Sequence, residues 1–374
     1  MEHRAFKDIS LSLLGFGCMR LPKTSENPED IDYKCAEQMV DLAISRGVNY
    51  FDTAWGYHNG CSEPFVGHAL KKHKREIFYL ATKMPTWNIV DSLATADNIF
   101  SEQQKRLQTD YFDFYLAHNL NADSYKNFEN LNLYSLLRKK KEEKKVKYLG
   151  FSFHGHPSLL REIVDKYEWD FAQIQLNYID WDAIDAKQQY KIITEKGIPI
   201  IVMEPIRGGS LASLNPEAIE ILKNENPKAS AASWALRFAA SKENVITVLS
   251  GMSEVSHVED NINIFSNFSP LSAHEYEVLK TAEKSYNATR SIPCTTCNYC
   301  MKCPFSVNIP RVFSIYNLYK SNGNKIAFNN NYRTLSEPEK ASSCYACGKC
   351  VKKCPQNIDI PAHMKEINGF VSAP

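Results

Sequence analysis

The sequence is short of net charge, of long apolar runs and, over most of its length, of cysteine. Lysine and arginine number 44 against 43 aspartate and glutamate, so no global field recruits nucleic acid or an acidic membrane surface. The longest apolar runs, such as IPIIVM at 198–203, fall far short of the roughly 20 residues that a membrane-spanning helix needs. The opening MEHRAFKD carries none of the apolar character of a secretory signal. The expectation is a soluble cytoplasmic protein with no nucleic-acid or membrane partner. At 374 residues and 44% hydrophobic content, the chain has enough material for two or three domains of roughly 100–200 residues each.

Cysteine divides the chain. Only Cys18, Cys35 and Cys61 fall in the first 293 residues, whereas eight crowd between 294 and 354. Without an export signal, such spacing suits metal or redox work better than a disulfide framework. A boundary near residue 290 is expected, with one domain over 1–290 and a metal-binding domain over 291–374.

Between residues 14 and 250 lie eight short apolar or β-branched runs: LGFGCM, NYFDTA, IFYLATKM, FDFYLAHN, VKYLGFSF, FAQIQLNY, PIIVMEP and VITVLSG. Each reads as a buried strand, and the stretches between them carry helical spacing, as at Leu159, Leu160, Ile163 and Val164. Eight βα units in about 250 residues predict an α/β fold of the (β/α)8 TIM-barrel type. An open dinucleotide-binding sheet would carry G-x-G-x-x-G after its first strand, and GFGCMR lacks it. The charge run RKKKEEKKVK at 138–147 reads as a solvated helix face, and SNGNKIAFNNNYR at 321–333 as a polar connection within the tail.

The tail reads Cys294-x2-Cys297-x2-Cys300-x2-Cys303-Pro304 and, forty residues on, Cys344-x2-Cys347-x2-Cys350-x3-Cys354-Pro355. Three thiolates two residues apart wrap three corners of a cubane, and the fourth cysteine, followed by proline, leaves for the other cubane. The spacing thus assigns Cys294, Cys297, Cys300 and Cys354 to one [4Fe-4S] cluster and Cys344, Cys347, Cys350 and Cys303 to a second. Paired C-x2-C units also bind zinc, but zinc gives no role to the C-P that ends each run. The region resembles a bacterial two-cluster ferredoxin, including N-I-P and I-D-I-P after the two runs, with one departure in the x2 gap before Cys303. A small α+β ferredoxin-like domain is expected.

In a TIM barrel, catalytic groups sit where strands end. The second run ends in Asp52, with Tyr57 in the following loop; the third ends in Lys83 and the fourth in His118. Singly, each has an ordinary explanation as a cap, wall residue, rim charge or buried imidazole. Together they resemble the catalytic tetrad of the aldo/keto reductases, and FDTAWGYHNGCSE, ATKM, DYFDFYLAHN, VMEPIRGG and VLSGMSEVSHVEDN are similar to that family's motifs over residues 10–265.

The resemblance implies a nicotinamide-dependent oxidoreductase that interconverts a small carbonyl and an alcohol. Tyr57 would be the proton donor, Lys83 held by Asp52 would make its phenolate easier to form, and His118 would orient the substrate oxygen. It also implies NADP or NAD across the barrel mouth. Ser152 and Gln175 would approach the carboxamide, Arg207 and Gly208 the pyrophosphate, and Gly251, Ser253 and Asn261 the adenosine phosphate side. Ser152 is followed by Phe153 where the family usually has asparagine, and His257 stands where NADP-preferring members often place arginine, so both nicotinamide cofactors stay open. Cys18 and Cys61 read as small buried hydrophobes, and His154 and His156 as candidate pocket walls. Nicotinamide passes two electrons as hydride and a cluster passes one. Direct exchange between the two is awkward without a flavin, and no flavin motif appears; the tail is expected to carry electrons to or from an external redox protein. The competing readings are an electron carrier with a non-catalytic barrel, and an enzyme whose clusters are structural clamps.

Overall fold

The computed structural model describes residues 1–372 except 184, 290, 291 and 302. By mutual contact the chain forms two units, one comprising 1–206 and 232–271, the other 207–231 with 272 onward. The expected boundary at 290/291 falls on residues outside the described ones.

The first unit begins with an antiparallel hairpin of β1 (His3–Phe6) and β2 (Ile9–Ser12), paired His3 to Ser12 and Phe6 to Ile9. Eight parallel strands then close a barrel: β3 (Leu14–Gly17), β4 (Tyr50–Asp52), β5 (Tyr79–Pro85), β6 (Phe112–Leu120), β7 (Val146–Phe153), β8 (Phe171–Gln175), β9 (Ile200–Met203) and β10 (Val245–Ser250). Closure is made by β10, which pairs with β9 on one side and β3 on the other. The eight apolar runs are these eight strands. The hairpin is an addition that the run-by-run reading passed over, because each of its strands has four residues and little apolar character. Its Phe6 and Leu11 pack with Tyr50, Phe114, Tyr148 and Phe171 in one core. That core closes one end of the cylinder and leaves the strand C-termini as the open face.

Local sequence explains the outer helices. In Leu93–Leu107, Ser92 caps the start by accepting from Thr95 N–H (3.1 Å), and Ala96, Ile99, Phe100, Gln103 and Leu107 form the buried stripe. The helix stops at Gln108, whose φ of 52° breaks the repeat. The charge run at 138–147 is only partly a solvated face. Lys140 is buried, pairs with Asp97 and lies over the Phe100 ring, and Lys147 pairs with Asp113 at 2.9 Å. Its long apolar stem covers core surface while the ammonium finds a carboxylate.

In the second unit, helix Pro216–Glu225 packs along helix Ala273–Thr289, with Asn215 Nδ2 donating to Ser285 O (3.0 Å) and Ser285 Oγ to Glu217 Oε2 (2.8 Å). The ferredoxin-like tail has helices Ile309–Asn322, Lys325–Arg333 and Ile360–Ser372, joined by short single-turn helices. The β component of the expected α+β tail does not form among the described residues. Pro310 and Pro361 sit in first helical turns, where a missing N–H costs nothing, so N-I-P and I-D-I-P start helices rather than strands. The polar connection expected at 321–333 is likewise a helix from Lys325. Asn324 caps it, and Phe328 and Tyr332, one turn apart, enter the tail's core with Phe313, Tyr316 and Met364. Among the described residues, no helix is long and apolar enough to cross a membrane.

Candidate active site and thiol clusters

Strand periodicity builds the barrel site. On β4, β5 and β6 the residues Tyr50, Ala81, Phe114 and Leu116 face the interior core. Two residues further along each strand, on the same face, come Asp52, Lys83 and His118. The interior column is thus apolar at the closed end and ionisable at the open one. All three side chains are buried.

Lys83 Nζ donates to Asp52 Oδ1 at 2.6 Å, to Thr53 O at 2.7 Å and to Tyr57 Oη at 3.3 Å. Three ammonium donors meet three acceptors. Because Tyr57 Oη accepts from Lys83, its own proton is directed elsewhere. Tyr57 stands in a single-turn helix, Tyr57–Gly60, pinned by His58, whose Nε2 accepts from Leu21 N–H (3.1 Å) and whose Nδ1 bonds Pro28 O (2.7 Å). The Tyr57 and His118 rings lie edge to face with centroids 5.9 Å apart, and Trp87 flanks His118 at 5.3 Å.

Burial pushes the Asp52 carboxyl up and the Lys83 ammonium down, each opposed by the other. Burial, then the fields of Lys83 and His154, holds His118 well below the usual imidazole range, so it is neutral at pH 7. The Tyr57 phenol is held well above its ordinary value, first by burial, then by Asp52, Glu204 and Cys18. Burial thus outweighs the help expected from the Lys83 ammonium, whose charge is matched by Asp52 at 2.6 Å. Tyr57 stands as a firmly protonated phenol.

A second row of polar residues, to which the motif reading assigned no role although Glu63 and Thr82 lie within its motifs, supports Lys83 from outside the barrel. Gln103 Nε2 donates to Lys83 O (3.0 Å) and Glu63 Oε1 (2.6 Å), and Glu63 also accepts from Thr82 Oγ1 (2.7 Å). The sequence signal of Gln103 is a glutamine in the buried stripe of an amphipathic helix. At the rim, Arg20 and Glu204 form an ion pair at 3.6 Å.

The remaining sequence candidates fall in different places. Ser152 Oγ accepts from Asn119 N–H (2.7 Å), and Gln175 Nε2 donates to Asp180 Oδ2 (2.6 Å). Ser253 Oγ donates to Arg20 O (2.7 Å), Asn261 Nδ2 to Ser250 Oγ (2.8 Å), and a Cβ on Gly251 would lie 3.3 Å from the Arg20 side chain. Arg207 and Gly208 group with the second unit, where Arg207 Nη2 donates to Gln356 Oε1 at 3.3 Å. Burial drives the His154 imidazole down to about 4, whereas His156 is exposed and caps the helix Pro157–Lys166 instead of lining a pocket. Cys18 is buried, with its thiol pushed up by desolvation, and Cys61 is half-buried.

In the tail, Cys294, Cys297, Cys300 and Cys354 line one cavity together with Ile309, Phe313, Gln356 and Ile358. Burial raises the Cys300 thiol, and the neighbours that raise it further are Cys297, Cys294 and Cys354. For Cys350, burial raises the thiol first, a backbone hydrogen bond opposes it, and Cys344, Cys303 and Cys347 raise it further. The two loops share one backbone path. Positive φ occurs two and four residues after the first cysteine in both, at Thr296 and Asn298 and again at Ala346 and Gly348. Three of those four residues are not glycine, a costly conformation in duplicate. Thr296 N–H donates to Cys294 Sγ at 3.4 Å. Among the described residues, no three Cys, His, Asp or Glu side chains converge as a single-ion site. A cubane takes one thiolate at each of four separated corners, so the all-sulfur donor sets fit that group.

A model of the aldo/keto reductase family matches residues 13–284, and one of a 4Fe-4S dicluster domain matches residues 293–358. The chain is 25% identical over 315 residues to the uncharacterized oxidoreductase YqkF of Bacillus subtilis (strain 168), covering 76% of this chain and 97% of that one. It is 25% identical over 274 residues to L-galactose dehydrogenase of Arabidopsis thaliana, covering 68% and 84% respectively. Among solved structures, the holo form of aldo-keto reductase AKR11C1 from Bacillus halodurans superposes with a TM-score of 0.61 at 25% identity, covering 75% of this chain and 96% of that one. The chain belongs to the aldo/keto reductase family, with a 4Fe-4S dicluster domain following its barrel.

Proposed function

We propose that the barrel interconverts a small carbonyl and an alcohol with NADP or NAD, with Tyr57 as the proton donor. The observation that carries this is the contact of the buried Lys83 Nζ with both Asp52 Oδ1 (2.6 Å) and Tyr57 Oη (3.3 Å). When bound, nicotinamide supplies or takes the hydride. The chain's own residues manage the proton and the oxygen. Lys83 donates to Tyr57 Oη, which fixes the phenol and leaves its O–H to face the substrate oxygen. As the proton leaves, the phenolate that forms lies one hydrogen bond from an ammonium, so the charge appears where it is stabilised. Asp52 keeps that ammonium charged and in place. The neutral His118 imidazole, edge to face with Tyr57, orients the same oxygen without competing as an acid.

For the nucleotide, Gly251, Ser253 and Asn261 form the phosphate side, where helix Val255–Ser266 offers first-turn N–H groups to an anion. Ser152 and Gln175 stand at the carboxamide side, and their present bonds to Asn119 and Asp180 hold them in fixed rotamers. In the tail, Cys294, Cys297, Cys300 and Cys354 hold one [4Fe-4S] cluster and Cys303, Cys344, Cys347 and Cys350 the other. These clusters relay single electrons to or from an external redox protein. The barrel domain runs to about residue 290, between the end of one family match at 284 and the start of the other at 293. Cys18, Cys35 and Cys61, the thiols outside the proposed cluster sets, form no disulfide, which suits the reducing cytoplasm.

Tyr57→Phe tests the reading. Carbonyl turnover falls by about a hundred- to ten-thousandfold, the range for losing a general acid, while iron content stays unchanged. Retained turnover removes the tyrosine from the mechanism.

A further inference from the structure

Arg207 opens the turn after β9 with φ of 50°, and its carbonyl accepts from both Ser210 N–H (3.2 Å) and Ser210 Oγ (2.8 Å). Its side chain is 2% exposed. A guanidinium keeps its charge even when buried, so it must have acceptors. One is Gln356 Oε1 at 3.3 Å, 149 residues away in sequence. Gln356 is itself buried, lies two residues after Cys354, and shares the cavity wall with Cys294, Cys297, Cys300 and Cys354.

Four thiolates around a cubane make a net-negative centre, and positive charge or hydrogen-bond donors beside it favour the reduced form. We propose that Arg207, acting through Gln356, is a positioning residue that raises the potential of the cluster held by Cys294, Cys297, Cys300 and Cys354, and is not a contact to the nucleotide pyrophosphate. This rests on the ligand set proposed above. Gln356 lines the cavity, and an amide whose oxygen accepts from a guanidinium keeps its NH2 as the donor end, the polarity suited to thiolate or sulfide. Arg207 sets that orientation and places a permanent positive charge one hydrogen bond behind the cavity wall. The role differs from phosphate binding in what it predicts: a changed electron affinity with unchanged nucleotide affinity.

The test uses the full-length holoprotein, purified anaerobically, in an EPR-monitored redox titration and a fluorescence titration with NADPH. Cys297→Ser and Cys354→Ser first identify the cluster. Both alter the same EPR signal if they share a cubane; different signals overturn the ligand set, whatever Arg207 does. With the set established, Arg207→Gln lowers the midpoint of that cluster so that about tenfold less is reduced at a fixed potential, about 59 mV for a one-electron couple, and leaves the other cluster where it was. Arg207→Lys recovers part of the shift. Gln356→Leu, which keeps the guanidinium, lowers the same midpoint and covers the case in which Arg207→Gln does not accumulate. NADPH affinity in Arg207→Gln stays within about twofold of the parent. An unmoved midpoint in Arg207→Gln or Gln356→Leu, or a Kd for NADPH raised about tenfold or more, overturns the proposal.

Discussion

The barrel site and the tail site solve the burial of reactive groups in opposite ways. At the barrel mouth, opposite charges answer each other: Lys83 Nζ has three protein acceptors, and the Asp52 carboxylate lies 2.6 Å away. In the tail, groups of the same kind crowd together. Cys300 is buried and Cys350 half-buried against other cysteines, and both desolvation and those neighbours resist ionisation. Four thiolates can share such a cavity only around a metal cation. The barrel constellation can therefore be assembled by the polypeptide alone, whereas the ligand loops complete their chemistry with the clusters.

The largest expected effect exploits that difference. Anaerobic removal of iron by a chelator should unfold the tail and spare the barrel. Structural metal sites contribute on the order of 10–16 kcal/mol in small zinc domains, as much as the whole stability of a typical domain. Hydrogen exchange reads the outcome: amides in helices Ile309–Asn322, Lys325–Arg333 and Ile360–Ser372 lose protection, while those of β5 and β6 keep it. Equal protection in the iron-free tail would mean that its apolar core suffices, and the contrast would collapse.

Next in size is the barrel's own pair. Lys83→Met leaves the Asp52 carboxylate buried without a counter-ion, which costs about 3–5 kcal/mol of barrel stability in urea unfolding. Adding Asp52→Asn removes the stranded charge and should recover more than half of the loss. Strictly additive losses in the double variant would show that the two residues are not coupled.

The contrast also explains what could be read in the sequence. Asp52, Lys83 and His118 were legible as ionisable residues late in nearly continuous apolar runs; Asp52 ends β4, whereas Lys83 and His118 lie two residues before the ends of β5 and β6. The cluster loops were legible because each run carries three cysteines at local spacing, and the proposed sets draw only their fourth ligand, Cys354 or Cys303, from the other run. What stayed hidden is nonlocal. The β1–β2 hairpin has too few apolar residues to announce itself, and its place is set by Phe114 and Tyr148 far along the chain. Helix Lys325–Arg333 hid behind its asparagines, because only Phe328 and Tyr332 carry its apolar face. Arg207 sits in a motif that points to nucleotide, and its contact with Gln356, 149 residues on, is one that nothing near residue 207 could indicate. The lowered acidity of Tyr57 was equally unreadable, since it depends on how far the Lys83 charge is already spent on Asp52.

A smaller effect sharpens the comparison from the packing side. A Cβ on Gly67 would run into Arg106 O and lie 2.8 Å from Leu107 Cα, so helices Ser62–Leu70 and Leu93–Leu107 touch through bare backbone. Gly67→Ala should cost the barrel about 1–3 kcal/mol by overpacking, read from its urea transition, with iron content and tail protection unchanged. Loss of iron in this variant would show that barrel strain is felt at the thiol loops.

The smallest expected effect is a profile that does not move. Carbonyl reduction by the proposed route needs Tyr57 protonated and His118 neutral. The His118 value is held well below its ordinary 6.5, so activity is lost only as pH falls through that depressed value. The Tyr57 value is held well above 10, so activity is lost only as pH rises through that elevated one. Between about 6.5 and about 10 neither group changes state, and kcat/KM for the carbonyl should be flat across that interval. A bell with an apparent pKa near 7 would mean that a different group carries the proton, or that the Asp52–Lys83 pair leaves far more of its field on the phenol than a 2.6 Å contact implies.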